Sequence, residues 1–591
     1  MPGRGILSPA FAAGSASPTM VSDGGGSPRS RNGVHRGAPV RRGPGACGRA
    51  VAGAGPGEGV ALSCAPCASC GSLFRVTLRG DVDGLAFCLR RDGGRRRVPA
   101  TEARLPHVPA CGAASRKAVV MVNVPEGSAR AVGAGRREEA RGVPDGLPAP
   151  PVAPGRLPVL GHLVAMLRDP LGFMASLPAV AEVVTIYVGT RPVHVANSLD
   201  LVQSMLVTEA DSFQRGLLFE KAEKVVGPGL TMVEGEAHRR QRKLVQPAFS
   251  PRRIEQYTQT MIEAAEAGVG SWRPGRRMDA DRVMYDLGMD VFTRVLFRGA
   301  LDGASADLVK QATSGIMAGM VAHSLYPAQW LEKVPIPLNR RFRRGDAQMT
   351  EVVDRIIHHY RQGGTADHDG AAILDALMAE NERASGRPLD SVELRTEVIH
   401  LLVAGAEGPG ASLAWLFHEL SRHPDVERQL VEELDAVFGD GPLTVAGLAG
   451  LTFTRAVVKE SLRVHAPTWL LTRRALKAVA LGGHRIPAGG EVAFSLTALH
   501  RTAPQYDDPG RFDPARWLDG RTARLPRSAY MPFGTGRHRC VGDHFTLQVV
   551  LVCAVTIARR WRLVPCPGIR VRERPVALVR PSGLLMDVAA R

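Results

Sequence analysis

The 591-residue chain lacks the features that mark membrane, secreted and disulfide-stabilised proteins. No run reaches the roughly 18 consecutive apolar residues of a membrane helix. The N-terminus, MPGRGILSPAFAAGSASPTM, has no compact apolar core before a cleavage site. Six of the nine cysteines lie within the first 111 residues, and only Cys540, Cys553 and Cys566 follow. This is no disulfide framework and fits a reducing compartment, so we expect a cytoplasmic protein with no membrane span.

The net positive charge is concentrated at one end of the chain. The formal net charge is +18, and residues 1–150 carry 21 Lys and Arg against 10 Asp and Glu. The remaining residues carry 54 against 47, which is close to balance. Binding of nucleic acid would therefore require the basic leader to be ordered, at least on binding. We expect no nucleic-acid partner.

Residues 1–120 form a leader rich in glycine, alanine, proline and arginine, with no sustained period of 2 or 3.6. We expect it to be disordered, or to lie upstream of a true start at Met121. Cys64, Cys67 and Cys70 have the spacing C-x2-C-x2-C, but Phe74 stands where an iron–sulfur motif would continue with cysteine. A metal site in the leader is therefore not favoured.

The rest of the chain predicts a mainly α domain with a minor β portion, over residues 150–591, after a linker at 121–149. VVTIYVGTRPVHVA predicts a β-hairpin. Most segments from Leu230 to Asp435 have the periodicity of amphipathic helices. The C-terminal third mixes helices with short strands and turns, as in LGGHRIPAGGEVAFSL.

The most specific motif is FGTGRHRCVG, a glycine-rich loop that brings one cysteine to the start of an apolar helix. A thiolate at such a position is stabilised by the helix dipole and by unpaired N–H groups. A cysteine alone would more often be a buried turn residue. The complete pattern F-x-x-G-x-[HR]-x-C-x-G, however, resembles the haem-ligand loop of the cytochromes P450. Its fixed positions are Phe533, Gly536, His538, Cys540 and Gly542.

This resemblance implies a cytochrome P450 fold and a haem b cofactor (iron protoporphyrin IX). It implies that Cys540 is the proximal thiolate ligand of the iron, where a thiolate favours O–O cleavage. His538 would contact a haem propionate, and Phe533 would pack near the sulfur. Gly536 and Gly542 permit tight turns and a close approach of the backbone to a flat ligand.

A second motif is KESLRVHAP, in which Glu460 and Arg463 lie at i, i+3 on one helix face. Such a pair alone is common and is often exposed, where it contributes little. Arg516, in RFDPARW, follows in the order found in the P450 family. The resemblance implies a buried structural triad of Glu460, Arg463 and Arg516.

A third motif, GEAHRRQRKLVQPAFS, places His238 and Arg242 at i, i+4 on one helix face. It resembles the P450 helix that meets the haem propionates, and arginine suits a carboxylate because it can bind it through two N–H groups. Arg473 or Arg474, in LLTRRAL, is the expected further propionate contact. The sequence does not decide between these two.

The stretch LLVAGAEGPGASLAWL places glycines and a proline inside a predicted helix. Asp390 and Glu393 form a capping box for this helix, and His423-Pro424 ends it after Arg422, about 48 Å further on. In P450s the central helix crosses the distal haem face with the pattern A-G-x-[DE]-T-[TS]. Ala404, Gly405 and Glu407 match, but Gly408 and Pro409 replace the two hydroxyl residues.

Three interpretations of this replacement remain open, with Glu407, Gly408 and Ser412 as the candidate catalytic positions. In the first, the substrate supplies a hydroxyl or positions the water that delivers protons. Alternatively, Ser412, one turn on, partly substitutes for the missing alcohol. Or the protein is a peroxide-using, coupling or non-catalytic haem protein. Pro409 cannot donate to the Gly405 carbonyl, so the helix groove could also be opened permanently by proline.

The motifs together resemble those of bacterial P450 monooxygenases that oxidise terpenoids such as pentalenene. They imply oxidation of a hydrophobic small molecule in secondary metabolism by a monomeric enzyme. No flavin or nicotinamide fingerprint follows Gly542, so we expect electrons from a ferredoxin and an NAD(P)H-dependent ferredoxin reductase. The resemblance places substrate contacts in four stretches: Arg215–Val233, Gly315–Ile336, Val403–Gly408 and Pro467–Leu471.

Overall fold

Helices form most of the structure, and short strands occur in its N-terminal and C-terminal parts. The computed structural model describes residues 146–217, 219–220, 223, 227–298, 301–325, 332–362, 372–385, 391–575 and 577–591. The leader, with its C-x2-C-x2-C motif, and the linker as far as residue 145 lie outside the described residues. The predicted mainly α class with a minor β portion is confirmed.

The helices follow the sequence periodicity. They are α1 (Leu163–Arg168), α2 (Pro170–Ser176), α3 (Leu199–Gln203), α4 (Gly235–Val245), α5 (Pro251–Gly270), α6 (Ala280–Phe297), α7 (Gly303–Leu325), α8 (Pro337–Arg361), α9 (Ile373–Ser385), α10 (Ser391–Arg422), α11 (Pro424–Phe438), α12 (Val445–Gly450), α13 (Thr452–Val464), α14 (Leu496–Thr502) and α15 (Asp543–Arg560). Proline at the first position of α2, α5, α8 and α11 costs no hydrogen bond, because a helix leaves that N–H unpaired.

The strands are β1 (Val183–Val188), β2 (Arg191–Ala196), β3 (Phe213–Arg215), β4 (Arg277–Asp279), β5 (Leu471–Ala475), β6 (Val479–Leu481), β7 (His484–Ile486), β8 (Glu491–Phe494), β9 (Trp561–Pro565), β10 (Arg572–Pro575), β11 (Val579–Ser582) and β12 (Leu585–Ala590). The predicted hairpin is β1–β2, with Val183 opposite Ala196. Strands β1, β2, β8, β5 and β3 form one sheet in that order, and β4, β12 and β9 form another.

The largest apolar core lies among the long helices, and α10 runs through it. This helix begins at Ser391 and ends at Arg422, as the sequence predicts. Pro409 lies inside it without interrupting it. The helix is therefore continuous through this position, although a proline cannot donate to the carbonyl four residues back.

Close packing explains why the centre of α10 tolerates glycine. A Cβ at Gly410 would lie 2.6 Å from the Tyr285 Cα of α6 and 3.0 Å from the Met284 carbonyl oxygen. A Cβ at Gly288 of α6 would in turn lie 3.0 Å from the Gly410 backbone nitrogen. The two helices thus touch backbone to backbone, which only glycine allows.

None of the helices in the part of the chain that the structure describes is long and apolar enough to cross a membrane.

Substituting Gly410→Ala tests this helix contact. The added methyl group must displace the α6 backbone, so we expect a loss of about 1–3 kcal/mol of stability, measured by denaturant unfolding. The matched control is Gly270→Ala at the end of α5, where a Cβ meets nothing within 4 Å. We expect Gly270→Ala to unfold at the same denaturant concentration as the wild type, or at a slightly higher one. Equal stability of the two variants would show that α6 and α10 are not in close contact.

Candidate active site

The cysteine loop is held in shape by two backbone features. The Cys540 N–H donates to the Phe533 carbonyl over 3.0 Å and so closes the loop before α15 begins. Gly536 has a φ of +70°, and a Cβ there would lie 2.1 Å from the Leu206 carbonyl oxygen. Glycine is therefore required at this position both for conformation and for space.

Cys540 is an accessible residue, yet burial raises the pKa of its thiol. A hydrogen bond from the Gly542 N–H and the charges of Arg242 and Arg539 oppose that rise. An accessible sulfur surrounded by protein and approached by N–H and cationic groups is suited to act as a metal ligand.

A cluster of buried basic side chains lies beside this loop. His538 follows Gly536, and its ring lies 4.4 Å from the ring of His238 on α4. Burial lowers the pKa of His238 to about 4, so this ring is neutral at pH 7. Strand pairing places Arg215 of β3 opposite Arg473 of β5, and both are at least 90% buried. Burial lowers the pKa of each arginine to about 10.

The carboxylate of Glu234 lies beside this cluster, and the charge of Glu223 also acts on Arg215. Glu234 accepts a hydrogen bond from the Arg215 backbone N–H over 2.7 Å, and its other oxygen lies 3.1 Å from His538 Nε2. Burial alone would raise the pKa of Glu234, but the hydrogen bond and charge of His538, with those of Arg215, lower it to about 2. His538 Nδ1 is buried and has no hydrogen-bond partner among the described residues.

The structure distinguishes Arg473 from Arg474, which the sequence alone does not. Arg473 and Arg474 are neighbours on β5, so their side chains point to opposite faces. Arg474 forms ion pairs with Glu220 and Glu491. Arg473 instead donates to the Thr472 carbonyl and lies close to Arg215, whose charge contributes to its lowered pKa. The buried cluster therefore contains Arg473 and not Arg474.

Arg242 lies on the cysteine side of the cluster. Its guanidinium donates to the Arg539 carbonyl over 2.5 Å and to the Gln246 side chain over 3.0 Å. Burial lowers the pKa of Arg242, and a charge on Cys540 opposes that shift. His238 and Arg242 are thus both near the loop, on adjacent turns of α4.

Glu460, Arg463 and Arg516 come together in a fully buried network. Arg463 binds the Glu460 carboxylate through two hydrogen bonds of 2.8 and 2.9 Å, and Arg516 binds it over 2.9 Å. The Trp517 indole N–H and the Asp513 backbone N–H complete the shell around the carboxylate. Arg463 also donates to carbonyls at positions 500, 509 and 511. Such a network has no donor to spare for a substrate.

The three candidate catalytic positions of α10 have different surroundings. A Cβ at Gly408 would meet nothing within 4 Å. Ser412 is buried, and its hydroxyl donates to the Gly408 carbonyl over 2.8 Å, so its proton is engaged by the backbone. Burial raises the pKa of Glu407, and the nearby Arg580 opposes the rise.

Glu407 also borders a polar cleft of about 460 Å³. Tyr285, Arg580 and Lys310 are among the residues that line it. Arg580 forms a bidentate pair with Asp281, with distances of 2.9 and 3.0 Å. The Glu407 carboxyl is therefore in contact with a polar space on the α6 and β11 side of the helix.

The sequence motifs do not indicate Glu234 or Arg580, and they include Arg215 only as the edge of a predicted substrate-contact stretch. These residues reach the site through strand pairing and through contacts between distant segments. A single sequence carries no local signal for such contacts.

Comparisons with known proteins agree with this arrangement. The sequence model of the family described as Cytochrome P450 matches residues 150–586. The chain is 38% identical to cyclooctat-9-en-7-ol 5-monooxygenase of Streptomyces melanosporofaciens, over 70% of this chain and 90% of that protein. It is 34% identical to pentalenene oxygenase of Streptomyces avermitilis, over 74% and 97% respectively. Retinoic acid bound cyanobacterial CYP120A1 superposes with a TM-score of 0.66 at 22% identity, over 75% of this chain and 100% of that one.

A cysteine loop beside buried basic groups is the arrangement expected of a haem-thiolate protein, and the family model and the relatives show that class. The chain belongs to the cytochrome P450 family. The expected P450 fold, haem cofactor and monooxygenase activity are thereby confirmed, and the relatives do not favour the alternative without monooxygenase turnover. Membership also implies a hydrophobic substrate and redox partner proteins.

The residues present fit this cofactor. Glu234 and the charge of Glu223 act on Arg215, whereas Arg473 has no ion pair among the described residues, so the positive charge of the cluster is incompletely balanced. His538 adds a buried nitrogen without a partner among the described residues. An anionic group of the cofactor would balance both.

Substituting Glu460→Gln tests the buried network. The change leaves two buried arginines without a counter-charge, so we expect a loss of about 3–5 kcal/mol of stability in denaturant unfolding. The matched control is Glu432→Gln, which removes an exposed pair with Arg428 at 3.8 Å and should change stability by less than about 0.5 kcal/mol. A small effect of Glu460→Gln would contradict a structural role for the network.

Proposed function

We propose that this P450 oxidises a cyclic terpenoid in bacterial secondary metabolism. The observation that carries the proposal is the identity of 34–38% to two enzymes named for terpenoid oxidation, over at least 90% of their lengths. The mainly apolar character of GIMAGMVAHSL and APTWLL supports a hydrophobic substrate. The catalytic domain in this proposal comprises residues 150–591, after a linker at 121–149.

We further propose that Cys540 supplies the thiolate ligand of the haem iron. Haem held by a thiolate supplies the oxygen-activating chemistry. The chain's own contribution is to hold the sulfur at a fixed place, through the Phe533 carbonyl and the Gly542 N–H. Phe533 packs against the main core, which supports a role in excluding water from this side of the sulfur.

We assign the haem propionates to the cluster of buried basic side chains beside the cysteine loop. We propose His238, His538 and Arg473 as contacts, with Arg242 on the cysteine side, and add Arg215 to the set. The excess of buried positive charge in the cluster supports this assignment. We leave Arg474 out, because its guanidinium is already paired with Glu220 and Glu491.

Proton supply is assigned to Glu407. Its carboxyl borders the polar cleft and precedes the helix turn at Gly408, and burial raises its pKa. Water in the cleft, beside Lys310 and Tyr285, supplies the proton to this oxygen. Ser412 is less suited to the task, because its hydroxyl donates to the Gly408 carbonyl.

We propose a ferredoxin and an NAD(P)H-dependent ferredoxin reductase as the electron donors, with the P450 acting as a monomer in the cytoplasm. Exposed basic residues next to the cysteine loop support this choice, among them Arg239, Lys243 and Arg539. Such a patch complements the acidic surface of a small iron–sulfur protein and speeds association.

The Cys540 assignment is tested by Cys540→Ala. We expect the reduced, carbon-monoxide-treated protein to lose the thiolate-type absorption band, and NADPH-dependent product formation with a ferredoxin pair to stop. Cys566→Ala is the matched control, because it removes a buried thiol of the C-terminal part, and it should retain the band. Retention of the band in Cys540→Ala would identify a different ligand.

The Gly408-Pro409 replacement is tested by the double variant Gly408→Thr/Pro409→Ala. It restores a hydroxyl where a Cβ meets nothing within 4 Å, and it restores an N–H donor to the Gly405 carbonyl. We expect the fraction of NADPH recovered as product to change, with Pro409→Ala alone as the control for the backbone effect. A coupling ratio equal to that of the wild type would contradict a role for this turn in proton delivery.

A further inference from the structure

Two buried polar side chains of α10 contact the segment that precedes α4. Glu397 and His400 lie within one turn of each other and are 93% and 97% buried. Glu397 accepts a hydrogen bond from the Leu230 N–H, and His400 contacts both Gly229 and Thr231. Neither Glu397 nor His400 belongs to the P450 motifs described above.

The hydrogen bonds fix the tautomer of His400. The Gly229 N–H donates to Nε2 over 3.3 Å, so this nitrogen carries no proton. The proton of the neutral ring is therefore on Nδ1, which lies 2.7 Å from Thr231 Oγ1. Thr231 Oγ1 thus accepts from His400, and its own O–H is directed to another acceptor. Thr231 is half-buried and therefore accessible to a ligand.

Close packing holds this arrangement rigidly. A Cβ at Gly229 would lie 2.3 Å from the His400 ring, so only glycine lets the segment approach so closely. Glu397 binds the adjacent Leu230 N–H, while its second oxygen is buried and has no partner among the described residues. Burial raises the pKa of Glu397 to about 7. Glu397 is a positioning residue for the segment that carries Thr231.

The position of His400 on α10 shows where Thr231 lies relative to Gly408. Residues 400, 404 and 408 lie one turn apart on the same side of the helix. Ala404 is accessible although α10 crosses the core, and a Cβ at Gly408 meets nothing within 4 Å. This side of the helix therefore borders open space at Ala404 and Gly408, and His400 holds Thr231 on the same side, two turns before Gly408.

The two neighbours of Thr231 in the chain, Leu230 and Met232, are apolar and buried. A single oriented donor in an apolar wall fixes the orientation of a ligand more than it adds to its affinity.

We propose that the Thr231 hydroxyl, oriented by His400, donates a hydrogen bond to an oxygen atom of the substrate. This inference rests on the proposed terpenoid function. It limits the substrate to a terpenoid that already carries oxygen, such as an alcohol, and excludes the parent hydrocarbon. The reaction that supplies the substrate must then leave an oxygen on the skeleton, either by capture of water during cyclisation or by an earlier oxidation.

The test compares two ligands that share a carbon skeleton. The haem-loaded full chain is titrated with the sesquiterpene hydrocarbon cedrene and with its alcohol cedrol, and the haem absorption shift gives each Kd. We expect the wild type to bind cedrol about tenfold more tightly, the value of one hydrogen bond of ~1.4 kcal/mol. Thr231→Val should remove this preference by weakening cedrol alone, and Thr231→Ser should keep it.

The outcomes separate this inference from the function on which it rests. Unchanged cedrene affinity in Thr231→Val shows that the pocket is intact, so loss of cedrol affinity is then due to the hydroxyl. Three results would overturn the inference and leave the terpenoid function unaffected. They are equal affinities of the wild type for cedrene and cedrol, binding of cedrene alone, and a preference for cedrol that persists in Thr231→Val. No spectral response to either ligand would contradict the terpenoid function, and this inference with it.

Discussion

The buried carboxylate of Glu460 is the interaction on which the arrangement of the site depends. A carboxylate taken out of water costs several kcal/mol unless its oxygens are fully hydrogen-bonded. Here Arg463, Arg516 and the Trp517 indole all donate to it. Because Arg463 also binds three carbonyls at positions 500–511, the segment that leads towards the cysteine loop cannot shift without breaking this network.

The cluster beside Cys540 differs from the Glu460 network in how its charges are balanced. The Glu460 carboxylate accepts from both arginines of its network, from the Trp517 indole and from the Asp513 backbone N–H. Arg215 and Arg473 instead face each other across paired strands, where like charges are destabilising. Glu234 lies beside Arg215. An anionic ligand in the place that we propose for the haem propionates would relieve this repulsion.

Much of the fold and part of the site follow from the sequence. The cysteine loop, α10 and the β1–β2 hairpin are local patterns, and local patterns survive in a single sequence. The choice between Arg473 and Arg474 needed the register of β5 against β3. The pair of His400 and Thr231, 169 positions apart, needed the tertiary fold. The predicted helix continues through Pro409, and its backbone contact with α6 shows why glycine is required beside the proline.

The close contact of Gly536 with the Leu206 carbonyl has a consequence for how the chain folds. The cysteine loop takes its shape against a segment more than three hundred positions earlier in the chain. Contacts between such distant segments form slowly, because the chain must first lose the entropy of the long loop between them. The loop that carries Cys540 thus takes its final shape only when both ends of the domain have met. With Cys540 as the proposed iron ligand, we expect haem binding to follow this contact during folding.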